Sequence, residues 1–219
     1  MRKFIMTDRT HFCILPVIMK FSHKTIELLN ATAPVLQGVL TLADLSTLFP
    51  VTHKTELYRL LASFEQEGLL RQFVKGIYVT REFNPAVLSQ RLCPESYVSL
   101  SSILAQHMVV GIAPTGVLDA VKCGRSRTYR GAGLTIKHFS LTPAMFFGFE
   151  TKAGLHKATA EKALLDTLYF HQHGTKFPFD IYSDLNWEHL NFDLISAYLK
   201  RYYNPKFVKF VEGLMHAVT

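Results

Sequence analysis

The stretch Val51–Thr80, VTHKTELYRLLASFEQEGLLRQFVKGIYVT, constrains the chain most, because its periodicity changes from helical to strand-like across a single glycine. Leu57, Leu60, Leu61 and Phe64 recur at i, i+3, i+4 and i+7, which makes one helical face apolar. Thr52 is of the residue type that caps a helix start by accepting a backbone N–H. At about 100° per residue, Thr55, Arg59, Ala62 and Gln66 fall on the opposite face, with Tyr58 flanking it. Gly68 sits where helices end. Beyond it, Leu69–Phe73 and Ile77–Thr80 read as two short strands joined across Val74-Lys75-Gly76. A helix with a small, polar and basic outer face, followed by a hairpin, is the order of a winged helix-turn-helix. In such a module the second helix enters a DNA major groove.

Basic residues on a helix can serve solvation alone, so a structural role stays open beside DNA binding. Lys54 favours the second reading, because a cation in the first helical turn opposes the helix dipole and calls for a compensating anion such as phosphate. The upstream segments complete the order. Ser22 is placed to cap a first helix with Ile26 and Leu29 inward, ending near Ala33-Pro34. Thr41-Leu-Ala-Asp44 matches a capping box and opens a short helix through Leu48, which Pro50 closes.

The 219 residues allow one large domain or two small ones, and 48% hydrophobic content supports a core. The formal net charge of +7 favours a polyanionic partner wherever the cations cluster. Cys13, Cys93 and Cys123 are odd in number and widely spaced, which indicates reduced thiols in a cytoplasmic protein rather than disulfides or a zinc site. The run Phe12–Met19 is apolar but too short to span a bilayer. Arg2 and Lys3 precede it, yet Asp8 and Arg9 intervene and no small-residue cleavage site follows, unlike a signal peptide. Residues 1–21 are expected to be an extension, with Met19 as a candidate natural start.

Asn84-Pro85 marks a turn and Leu92-Cys93-Pro94 a second break after a short helical patch, so 22–82 is expected to be the DNA-binding domain, 83–95 a linker and 96–219 a second, α/β domain. The fold class expected is mixed α+β. In the second domain a helix is expected from Tyr97, with strands at Val117–Lys122 and Leu134–Phe139. Between the strands, CGRSRTYRGAG holds Arg125, Arg127 and Arg130 in a loop that is either a solvated hairpin tip or a site for phosphates or carboxylates. No G-K-[ST] follows its glycines, so it is not a P-loop.

Leu141–Phe149 is aromatic and suits a core, and Thr159 is placed to cap a helix through Phe170. In that helix, Lys162 and Asp166 form an i,i+4 pair worth a few tenths of a kcal/mol on a surface. His171 and His173 lack further ligands in sequence, so no metal is expected. Helices are also expected from Asn191 to Tyr202 and after Asn204-Pro205. No hydrolase, kinase or zinc-protease motif occurs, and no cofactor is expected. A metal-dependent nucleic-acid enzyme using Asp119 and Asp166 is the minority alternative.

Tyr97–His107, YVSLSSILAQH, and Thr159–Asp166, TAEKALLD, resemble segments of the AbiEi antitoxins of abortive-infection systems, over roughly Ser22 to Phe170. Ala160 stands where that family usually has proline, and Met108 follows His107 where it has Gly-Leu. After about Lys176 no family motif matches. The resemblance implies a bacterial, cytoplasmic, type IV toxin–antitoxin component without enzymatic activity. Such a protein represses its own operon through double-stranded DNA with inverted repeats, and counteracts a nucleotidyltransferase toxin. Carried onto this chain, it implies that Thr55, Tyr58 and Arg59 face base edges or backbone, with Thr52 at the helix start counted among the DNA-binding residues. Lys54, Arg71 and Lys75 would meet phosphates, and Arg125, Arg127 and Arg130 would form a basic surface of the second domain. An interaction module that docks an acidic protein on that surface is the alternative.

Overall fold

The computed structural model describes residues 23–111 and 114–218. The expected N-terminal extension, Cys13 and the Ser22 cap lie outside the described residues. The fold is mixed α+β, with a three-stranded and a six-stranded sheet.

The N-terminal lobe opens with α1 (His23–Val35), which buries Leu29 and Ala33. Strand β1 (Val39–Thr41) leads directly into α2 (Leu42–Leu48). The capping box forms as its spacing predicts. Asp44 N–H donates to Thr41 Oγ1 at 3.1 Å, and Thr41 N–H donates to the Asp44 carboxylate at 2.8 Å. Next comes α3 (Lys54–Gln66), with Leu57, Leu61 and Phe64 buried. Gly68 follows with a positive φ, which ends the helix. Strands β2 (Arg71–Val74) and β3 (Ile77–Val79) form the hairpin, and β1 pairs with β3 on its other side to give the order β1-β3-β2.

Gly38 is required by contact as well as by φ. A Cβ there would lie 2.3 Å from the Glu82 carbonyl oxygen. This close approach lets Thr80 N–H donate to Gly38 O at 3.0 Å and Asn84 N–H donate to Gln37 O at 2.9 Å.

The short helical patch expected within residues 83–95 forms. Pro85–Leu92 is a helix, α4, because Asn84 caps it by accepting from Ala86 N–H and Pro85 occupies the first turn, where its missing N–H costs nothing. Ala86, Leu88 and Ser89 are buried. The helix expected from Tyr97 also starts later. Ser96–Val98 is a fully buried strand, β4, and α5 (Leu100–Gln106) begins after it.

Strands β5 (Val117–Cys123), β6 (Arg127–Gly131) and β7 (Leu134–Leu141) follow. A 3-10 turn at Pro143–Met145 leads to the hairpin β8 (Phe149–Lys152) and β9 (Leu155–Ala158). The sheet order is β6-β7-β5-β4-β9-β8, with β5 parallel to β7 and β4 parallel to β9. Helix α6 (Ala160–Gln172) is the core helix, buried on every side from Ala160 to Leu168. Its cap is Thr159, whose hydroxyl accepts from Lys162 N–H. Helices α7 (Phe192–Leu199) and α8 (Pro205–His216) complete the lobe, capped by Asn191 and Asn204. The second sheet is covered on both faces. Phe139 meets Phe170 of α6 at 5.0 Å between ring centroids, and His138 bonds Ser89 of α4 on the other side.

Candidate nucleic-acid interface

The apolar stripe of α3 is committed to the lobe's core, so its remaining faces point to solvent. Lys54, Thr55, Tyr58, Arg59, Ala62 and Gln66 are all exposed, with 48% of Tyr58 accessible. Arg71 and Lys75 on the hairpin are exposed as well. Among the described residues no carboxylate lies within salt-bridge distance of Lys54, Arg59, Arg71 or Lys75. Glu56 is the acidic residue of the helix's first turn.

Thr52 does not cap the helix. The N-cap is His53, which makes no side-chain capping bond, and Glu56 N–H donates to His53 O at 3.0 Å. The helix therefore starts one residue later than the Thr52 hydroxyl needs to reach its free amides, and Thr52 is simply exposed.

Helix and hairpin are joined by Glu65, whose carboxylate accepts from Gln72 N–H at 2.8 Å. They enclose a groove of about 640 Å³, lined by Tyr58, Ala62 and Glu65 on one side and Gln72, Lys75 and Tyr78 on the other. Sequence reasoning missed Gln72 and the Glu65 tie. The signal was present in RQFV, where Gln72 precedes the inward Phe73.

The three arginines of the second lobe do not form one surface. Arg127 and Arg130 lie on β6, not in a loop, and Arg125 lies in the turn before it. Arg127 pairs with His138 and Arg130 with Thr135. Because alternate strand residues face opposite sides, Arg127 faces the α4 side and Arg130 the α6 side. Arg130 instead shares its face with Lys137, which pairs with both Thr128 and Asp119. The alternation of Leu134–Phe139 already marked Lys137 as outward.

The residues that carry the family-like motif are structural in their contacts. Lys162 and Asp166 are fully buried, with Nζ donating to Oδ1 at 2.5 Å. Tyr97 and Ser99 hydroxyls donate to Asp166 Oδ2 at 2.9 and 2.8 Å, and Lys162 Nζ also donates to Tyr202 Oη at 3.0 Å. Burial, with the Asp166 charge adding to it, pushes the Tyr97 phenol above its ordinary range. The value of a surface pair therefore does not apply to Lys162–Asp166. Glu161 accepts from Asn191 N–H, which ties α6 to α7.

The Asp119 and Asp166 carboxylates are each held by a serine of their own, Ser101 and Ser99. Burial raises the Asp119 carboxyl, against the Ser101 bond and Lys137. His173 Nδ1 contacts Tyr169 O and His171 packs edge-on to Tyr182. Among the described residues no group of three or more His, Cys, Asp or Glu comes together to hold a metal. No helix there is long and apolar enough to cross a membrane.

The mixed α+β architecture has a counterpart among solved structures, the RV2827C protein from Mycobacterium tuberculosis. The match has a TM-score of 0.52 and 13% identity, and it covers 86% of this chain and 74% of that one. The likeness is one of fold alone. No family model matches the chain, and no curated protein matches it.

Proposed function

We propose that residues 22–82 are a winged helix-turn-helix and that the chain binds double-stranded DNA with α3 in the major groove and the β2–β3 hairpin on the flanking backbone. The observation that carries this reading is the outer face of α3, where Lys54, Thr55, Tyr58 and Arg59 are exposed; among the described residues its cations, like the nearby Arg71 and Lys75, have no carboxylate within salt-bridge distance. Together with the resemblance of YVSLSSILAQH and TAEKALLD to AbiEi antitoxins, it supports a cytoplasmic autorepressor that neutralises a separately encoded nucleotidyltransferase toxin.

The test is a fluorescence-anisotropy titration of the full chain with DNA from upstream of its gene against scrambled DNA, over a range of salt. Sequence-dependent binding that weakens steeply with salt is expected. Arg59→Ala should cost on the order of 1–3 kcal/mol of specific affinity if that side chain reads a base. Equal weak binding to both DNAs would sink the repressor reading and leave an interaction module as the better account.

A further inference from the structure

Residues 200–209, KRYYNPKFVK, span the turn between α7 and α8 and hold Lys200, Arg201, Lys206 and Lys209 without a carboxylate. Local geometry sorts this segment into inward and outward groups. Asn204 caps α8 by accepting from Lys206 N–H at 3.0 Å, and Pro205 fills its first turn. Tyr202 and Phe207 are buried, which leaves Tyr203 between them with 89% of its surface exposed. Lys206 and Lys209, three apart, share one exposed face of α8.

The Arg201 guanidinium carbon lies over the Phe147 ring, 3.9 Å from its centroid, a cation–π contact that uses the face of the guanidinium group rather than its N–H donors. Among the described residues none of the four cations has a carboxylate within salt-bridge distance. The first turn of α8 holds no acidic residue to offset the helix dipole. Beside Lys200 a groove of about 660 Å³ between α7 and α8 has Phe192, Tyr202 and Val208 among its walls, and Glu212 and His216 also line it.

We propose that this corner of the second lobe binds single-stranded nucleic acid, with a base stacked on Tyr203 and backbone phosphates on Lys200, Arg201, Lys206 and Lys209. Phosphates satisfy four cations that have no carboxylate partner among the described residues, and an unstacked base uses the exposed phenol face, for which a base-paired duplex offers no partner. An acidic protein would meet the cations but leave the ring unused. The surface lies on α7 and α8, apart from α3, and does not depend on the duplex-binding reading.

The experiment is anisotropy of labelled oligouridylate and oligothymidylate of about 15 nucleotides, near the upper footprint of one single-strand module, with the full chain. Both are expected to bind, because stacking and phosphate contacts are shared by RNA and DNA. Tyr203→Ala should weaken binding about tenfold, whereas Tyr203→Phe should bind as the wild type does. The Lys206→Ala/Lys209→Ala double variant should lower the salt dependence of log K by about 1.4. All three positions are exposed, so unchanged thermal unfolding is the expected control. Wild-type affinity in Tyr203→Ala overturns the proposal. Displacement by polyglutamate as effective as by unlabelled oligonucleotide, or a parallel loss of duplex binding in Tyr203→Ala, overturns it too.

Discussion

Lys162 can sit in the core because its ammonium meets two acceptors and a π face. Asp166 and Tyr202 accept its hydrogen bonds, and the Phe147 ring centroid lies 4.5 Å away. In proteins generally, losing one partner of such a buried pair costs on the order of 3–5 kcal/mol, because the other charge is left uncompensated. The i,i+4 spacing was visible in the sequence; the burial that changes its value was not, since it depends on α5, α7 and the sheet closing round α6. His138 shows the same limit. It lies on an alternating strand, but only the fold places its Nε2 at 2.8 Å from Ser89 Oγ and leaves its Nδ1 without a hydrogen-bond partner among the described residues. Burial, with Lys122 adding to it, lowers its pKa to about 4. The unfolded chain takes up a proton near pH 6.5, roughly the ordinary value, and the folded chain does not until about pH 4. Stability should therefore rise with pH across that window, by on the order of 3 kcal/mol from this group. Urea denaturation at several pH values, compared with His138→Gln, checks it. The variant should lose that part of the slope, and an unchanged slope would contradict the assignment to His138.

At the level of elements, the unfulfilled cap of α3 separates stability from the proposed DNA role. His53 makes no side-chain bond to the free amides, so His53→Asp should stabilise the protein by about 1 kcal/mol through the cap and the helix dipole. The same carboxylate should weaken duplex binding, because it places a negative charge beside Lys54 where phosphate is proposed to sit. Thermal unfolding and DNA titration of the one variant read both effects. Stabilisation with undiminished duplex affinity would move the contact away from this helix end. The expected elements that failed did so for local reasons. The arginine-rich segment is expected as a loop, yet Arg127–Gly131 is an edge strand, which is solvated along one side and tolerates charge. The Tyr97 region joined a strand to a helix within one apolar run, which helical periodicity alone could not divide.

On the scale of the whole molecule, the two lobes share a hydrophobic cluster rather than a flexible joint. Val39, Phe73 and Val79 of the first lobe pack with Leu88 of α4 and Ile136 of β7, all at most 4% exposed. Gly131, at the end of edge strand β6, lies against Phe73 so closely that a Cβ would come within 2.5 Å of the Phe73 carbonyl oxygen. Arg91 of α4 adds a contact to Asp44 of α2 at 3.7 Å. Wild-type calorimetry should show one cooperative transition. Gly131→Val, forced against backbone that cannot move aside cheaply, should lower the midpoint and split the transition in two; a single unshifted transition would mean that the lobes are coupled elsewhere. The sequence by itself determined what depends on neighbours a few residues apart: the apolar stripe and exposed face of α3, the hairpin after Gly68, the capping box of α2, the caps at Thr159 and Asn191 and the helix start at Asn204-Pro205. These rest on backbone periodicity and short-range hydrogen bonds. Only the tertiary structure decided the welding of the lobes through Gly131 and α4, the dispersal of Arg127 and Arg130 to opposite faces, and the burial of Lys162 with Asp166. Each of those depends on contacts between residues far apart in the chain, whose strand register and packing no local spacing encodes.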